Sequence, residues 1–221
     1  MLGIRRDVLQ EGVKPFDVLR GIRPEFLKKK GLPQRLITVK DAIGDLEIQS
    51  QGLIHHSGSE VSGFKEINYS VPEKLNSYQK VMRKGLNGAA PNSLRVARHR
   101  PSTVEKFKLI QEICRPGLAL NEEEKAVIGT RKQAITVLHP DKPSKTLTTL
   151  PDDLLHYSEP RILTVRENAR IQSFPDSFDF TGKYTTGGER RKMECPRYTQ
   201  VGNAVPPLLG EIFGLLLKEV K

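Results

Sequence analysis

Tryptophan is absent, cysteine occurs only twice, and no residue run approaches the roughly 18 apolar positions of a membrane-spanning helix. Two cysteines, Cys114 and Cys195, are too few for a disulfide-stapled scaffold. Without a secretion signal they read as free thiols, and two thiols alone make a poor zinc site, so no metal centre is expected. The opening MLGIRRDVLQ lacks the apolar segment of a signal peptide, which makes a cytoplasmic placement the default and gives no membrane partner. No internal repeat or low-complexity tract is visible, which excludes solenoids and coiled arrays. What is present suits a folded chain: 221 residues, 37% of them hydrophobic, can bury a core as one large domain or two small ones.

Acidic residues are in deficit. The formal charge is +10, which favours polyanionic partners such as nucleic acid or an anionic surface, although a basic balance alone is weak evidence. Its placement says more. Between Lys80 and Lys108 stand Lys80, Arg83, Lys84, Arg95, Arg98, Arg100, Lys106 and Lys108 against the single acid Glu105.

Local patterns predict a mixed α/β chain. Met1-Leu2-Gly3-Ile4 reads as the end of a short strand. Residues 38–46 predict a short helix capped by Thr38, with Val39, Ala42, Ile43 and Leu46 on one face. The Gly-, Ser- and His-rich run 47–70 predicts an exposed loop, and its His55-His56 pair is too isolated for a metal site. Helical spacing over 72–84 ends at Gly85. A helix from Ser102, boxed by Glu105, carries the stripe Val104, Phe107, Ile110 and Cys114, which makes Cys114 a core thiol. Residues 133–150 predict two short strands. Thr164 and Glu167 form a capping box ahead of a helix closed by Pro175. From Pro206-Pro207 a terminal helix carries Leu208, Leu209, Ile212, Phe213, Leu215, Leu216, Leu217 and Val220 around most of its circumference, so it must be covered on several sides.

Two strings go further. RILTVRENARIQSFPDSF at 161–178 and QVGNAVPPLLG at 200–210 resemble, in this order, the last two signature blocks of cytosine-5 DNA methyltransferases, called motifs IX and X. HPDKPSKTLTT, TVKDAIGDL and GIRRD at 3–7 resemble stretches flanking the target-recognition domain of that family. The resemblance implies a mixed α+β target-recognition domain over 11–195, including motif IX. Residues 1–10 and 196–221 would then be a strand and a helix of an incomplete Rossmann-like methyltransferase domain.

The implied roles are position-specific. Arg166, Glu167, Arg170 and Gln172 would organise the recognition domain, whereas as an ordinary surface helix the pair Arg166 and Arg170 would repel. Gln200, Gly202, Asn203, Ala204 and Val205 would form a turn lining the S-adenosyl-L-methionine pocket, with Gly202 freeing the backbone and Asn203 offering an amide; read without the resemblance, Asn203 could simply cap the terminal helix. Double-stranded DNA would be the partner, in a bacterial restriction-modification setting at the nucleoid. Lys80, Arg83 and Lys84 suit phosphates, and the stretch 92–100 with Arg95, Arg98, His99 and Arg100 could reach base edges.

The family's chemistry adds a cysteine thiolate to carbon 6 of a flipped cytosine, assisted by a glutamate. Its Pro-Cys pair, Glu-Asn-Val block and aromatic-Gly-x-Gly turn do not occur in these 221 residues. Cys195-Pro196 has the reverse order, and Glu167-Asn168-Ala169 lies inside motif IX, so no catalytic residue is assigned here. The expectation is a recognition and cofactor-closing portion that needs a catalytic half or subunit. A non-enzymatic DNA-binding relic or regulator is the alternative.

Overall fold

The computed structural model describes residues 11–58, 63–185 and 194–220. The opening strand expected at 1–4 lies outside the described residues. The architecture is mixed α+β, with helices around two small sheets and one main core.

Helix α1, Pro15–Lys30, starts on a proline and ends at Gly31, whose φ of 71° closes the last turn. Periodicity missed it because Pro24 sits inside it. Helix α2, Val39–Ile43, is capped by Thr38 with Asp41 completing the box; a 3-10 turn, Gly44–Leu46, continues it. Val39, Ala42, Ile43 and Leu46 are all buried, as their spacing predicts.

The loop expected over 47–70 is instead largely ordered. Helix α3, Ile48–Gln51, leads into β1, Leu53–His55, and β2, Lys65–Ile67, which pair antiparallel and are joined by β3, Arg95–Val96, in the order β1-β2-β3. These strands are three residues or fewer, too short to show alternation, so turn-forming residues dominated the reading. A satellite core of Leu46, Ile67 and Leu94 lies beneath them.

Helix α4, Ser77–Met82, is shorter than the stretch 72–84 because Asn76 and Gln79 box its start. Helix α5, Pro101–Ile113, does not use Ser102 as its cap. Pro101 occupies the first helical position and Arg100 the cap, with no side-chain bond. Cys114 follows it and is buried, its thiol pKa raised first by burial and then by Glu124. Helix α6, Glu122–Ile128, was not foreseen, although Asn121 and Glu124 box it.

Only one strand forms inside 133–150. It is β4, Thr136–Val137, and its parallel partner β5, Leu154–Leu155, lies further on, because the prolines of the intervening stretch withhold ladder donors. Helix α7, Val165–Ile171, carries the expected Thr164–Glu167 box. Two helices follow: α8, Arg197–Asn203, and α9, Pro207–Glu219.

Helix α9 is covered less than its composition suggested. Ile212, Leu216 and Val220 are buried, and α1 packs along it, with Lys30 paired to Glu211 at 2.6 Å. Leu209, Leu215 and Leu217 remain 38–41% exposed. Contrary to the sequence expectation, the joined stretch Arg197–Glu219 is long and apolar enough to be a membrane-span candidate. Pro206 and Pro207 divide it, and the 13 residues of α9 reach about 20 Å, short of a bilayer core of about 30 Å.

Candidate DNA- and cofactor-facing surfaces

Helix α7 is the hub of the molecule. Arg166, Glu167 and Arg170 are fully buried, which overturns the surface-helix reading. Burial opposes the charge of Glu167, yet the Arg161 guanidinium, donating at 2.7 and 2.8 Å, and the Thr164 N–H at 2.6 Å hold its pKa below the ordinary value. Arg170 donates to both Asp176 oxygens at 2.5 Å and to Asp45 at 3.2 and 3.3 Å, contacts that outweigh burial and keep it charged. Asp176 lies 3.9 Å from Arg166 and 3.8 Å from Arg83 as well. One carboxylate therefore relieves the repulsion expected between Arg166 and Arg170.

Beside this pair lies His156, also fully buried. Its Nδ1 accepts from the Ser158 and Glu159 N–H groups at 3.2 Å, and burial lowers its pKa to about 4. The ring is therefore neutral at pH 7, with its proton on Nε2.

Arg166 reaches outward to the recognition sheet. Its guanidinium donates to Asn92 O at 2.9 Å, Asn92 Oδ1 at 2.6 Å and Phe178 O at 2.7 Å, and its backbone N–H donates to Ser93 O. Burial lowers its pKa to about 10. Ser93 holds a φ of 66°, in the left-handed region that a serine occupies only under constraint. Motif IX thus clamps the strained turn from which β3 departs. Gln172 donates to Val201 O at 3.2 Å, linking α7 to α8.

Of the basic residues singled out, the structure gathers Arg95, Arg98, His99 and Arg100 along β3 and the entry to α5. Arg98 and Arg100 are exposed. Arg95 lies over Phe64 at 4.1 Å and Tyr184 at 3.7 Å. His99 packs edge-on against Phe107, and burial lowers its pKa, with the Arg161 charge adding to the effect. Arg98 and His99 border a groove of about 680 Å³ walled by Ile48, Leu53, Val96 and Ala97.

Arg83 departs from its assignment. It is buried, bonded to Ala89 O and stacked on Tyr69, so it presents nothing to a phosphate. Lys80 and Lys84 are exposed, but Lys84 borders a different cavity, between α1 and α9.

The expected cofactor turn is also redrawn. Gln200, Gly202 and Asn203 are helical, and the turn itself is Ala204–Pro206; Asn203 ends α8 and does not cap α9. Gly202 is not needed for a left-handed conformation. A Cβ there would stand 2.5 Å from Thr148 O, so glycine permits close packing of α8 on the chain at 148–149. Gln200 is spent on Thr181 O and Cys195 O. Gly202, Ala204 and Pro206 border a cavity of about 590 Å³ with Leu147 and Ile171. Asn203 and Val205 are exposed at its rim, the Asn203 amide making no hydrogen bond among the described residues.

The family model for C-5 cytosine-specific DNA methylases matches residues 2–218. The chain belongs to that family. Among curated relatives, the type II methyltransferase M.AquIB of Picosynechococcus is 38% identical over 123 residues, 55% of this chain and 83% of that relative. M.DdeI of Desulfomicrobium norvegicum is 30% identical over 191 residues, 82% of this chain but 43% of its own length. DNA (cytosine-5)-methyltransferase 1A of Oryza sativa is 29% identical, covering 86% of this chain and 13% of that one. This C-5 cytosine methylase chain therefore spans less than half of M.DdeI and a small part of the rice relative. A solved chain, described as a DNA modification methyltransferase encoded within an E. coli prophage, superposes with a TM-score of 0.49 at 19% identity, over 87% of this chain and 50% of that one.

Sequence reasoning missed Asp45, Asn92, Arg161 and Asp176, the partners that make the motif IX arginines structural. Asp176 was findable, since it ends the same signature string; Asp45 and Asn92 are distant in sequence and carry no local signal. The S-adenosyl-L-methionine of this family is a nucleoside with a charged tail. An unengaged amide beside an apolar turn fits one wall of such a site.

Proposed function

We propose that this chain is the target-recognising and cofactor-closing portion of a DNA (cytosine-5)-methyltransferase, working with a catalytic half that carries the nucleophilic cysteine. The carrying observation is the state of its two thiols. Burial raises the pKa of Cys114, whereas an attacking thiolate needs a lowered one. Cys195 precedes its proline and lies in neither signature string.

Support also comes from M.AquIB. If 123 aligned residues make up 83% of it, that relative is itself a chain of about 150 residues, so a short methyltransferase polypeptide covering this region has a precedent.

In this reading Arg166, Glu167, Arg170 and Gln172 act by position, fixing the recognition sheet and α8 against each other. Arg98, His99 and Arg100 face the DNA, with Lys80 and Lys84 as phosphate contacts from a separate face and Arg83 as structure. Asn203, Ala204 and Val205 contribute one wall for S-adenosyl-L-methionine, which supplies the methyl group. The exposed leucines of α9 dock onto the catalytic half, which is expected to be Rossmann-like.

The test is transfer of a labelled methyl group to duplex DNA. The chain alone should give none, and the chain joined by a family catalytic half should give methylated cytosine. Methylation by the chain alone, or by a pair whose catalytic half has lost its cysteine, refutes the proposal.

A further inference from the structure

Buried or half-buried arginines in this protein sit on carboxylates, with one exception in place. Arg83, Arg166 and Arg170 share Asp176, and Arg161 holds Glu159 and Glu167. The exception is a pair on the ring of Tyr184. Arg95 lies 3.7 Å and Arg197 4.4 Å from its centroid, while Phe64 supports Arg95 at 4.1 Å.

Tyr184 is buried and both arginines are partly buried, so two cations are desolvated side by side. Arg95 has no hydrogen-bond or carboxylate partner among the described residues. Arg197 donates only to Gly182 O at 2.8 Å and Ser93 Oγ at 3.0 Å, both neutral. Glu66 stands opposite Arg95 in the strand register, but its carboxylate accepts from His56 Nδ1 at 2.6 Å.

Stacking on an aromatic face contributes about 0.5–2 kcal/mol per cation, less than the several kcal/mol that removing an ion from water costs. A flat guanidinium held by its face presents its N–H edge, the geometry that grips a phosphate by two parallel bonds. The missing counter-charge is therefore external.

We infer that Arg95 and Arg197, stacked against Tyr184, hold one phosphodiester of the bound DNA. This rests on the recognition role proposed above and adds Arg197, Tyr184 and Phe64 to it. It also gives Arg95 a different task from base reading: a sequence-independent anchor beside the turn that Arg166 clamps.

The test is DNA binding by the chain assembled with its catalytic half, measured by fluorescence anisotropy on target-containing and scrambled duplexes between about 50 and 200 mM salt. Arg95→Gln and Arg197→Gln should each weaken binding about tenfold at low salt, equally on both duplexes, and reduce the slope of log Kd against log salt by about one. Arg95→Lys, which keeps the charge, should leave that slope unchanged. Because Arg95 bonds to no described residue, its variants decide the matter even if Arg197→Gln disturbs folding. Unchanged affinity and slope in Arg95→Gln overturns the phosphate contact, as does a loss confined to the target-containing duplex, the mark of a base reader. A wild-type assembly that binds no DNA overturns the underlying recognition role instead.

Discussion

Alanine at Gly202 sets two effects of opposite sign against each other. Within α8, alanine is the better helix residue by about 1 kcal/mol. Its Cβ, however, would stand 2.5 Å from Thr148 O, 2.8 Å from Thr148 C and 3.0 Å from Thr149 Cα, all backbone, where ordinary contact begins at 3.4 Å. The helix must retreat by roughly 1 Å, and forced overpacking of this kind costs about 1–3 kcal/mol. The clash wins by about 1–2 kcal/mol, which lowers Tm by roughly 2–8 °C for a chain of this size. A thermal melt followed by circular dichroism reads the effect. Gly210→Ala is the control, since it lies in α9 with open space around its position, and it should raise stability by about 0.5–1 kcal/mol. The retreat also moves Asn203 and Val205, so KM for S-adenosyl-L-methionine should rise in the assembled enzyme. A Gly202→Ala protein that melts at or above the wild-type temperature, with unchanged KM, refutes the close-packing account.

Burial lowers the His156 pKa from 6.5 to about 4, so between those values the unfolded chain takes up a proton that the folded chain refuses. Stability should be whole above pH 6.5 and fall by about 3 kcal/mol as pH drops to 4; His156→Asn, whose Oδ1 can accept the same two N–H bonds, should flatten that part of the urea-stability profile. Glu167→Gln leaves Arg161 with Glu159 alone and should cost about 3–5 kcal/mol in urea unfolding; a loss under about 1 kcal/mol would contradict the buried-pair account. Leu217→Arg, at a position 39% exposed on α9, should leave the melting curve of the chain intact while abolishing co-purification with the catalytic half.

Elements with a complete local signal were legible before the fold. The Thr164–Glu167 and Thr38 caps and the Pro206–Pro207 start of the last helix each lie within four residues of the element they define. The recognition sheet was not legible, because β1, β2 and β3 hold at most three residues each and owe their existence to pairing across the chain. At the surfaces, the string around Arg166 and Arg170 pointed to an organising role. Which cations stay exposed depends on Asp176 and Asp45, so Arg83 read as a phosphate contact and Arg197 passed unnoticed.

The bond from Arg170 to Asp45 joins residues 125 apart, and Arg166 reaches back 74 residues to Asn92. A polypeptide emerging from the ribosome thus exposes Asp45 and the β3 strand long before their anchors are synthesised. Vectorial folding of the first half has little to settle on, and the lobe must set as one cooperative unit once residue 176 is out. Shortening the gene from its 3′ end past that codon should yield no smaller working lobe but a chain with buried acids left without their cations.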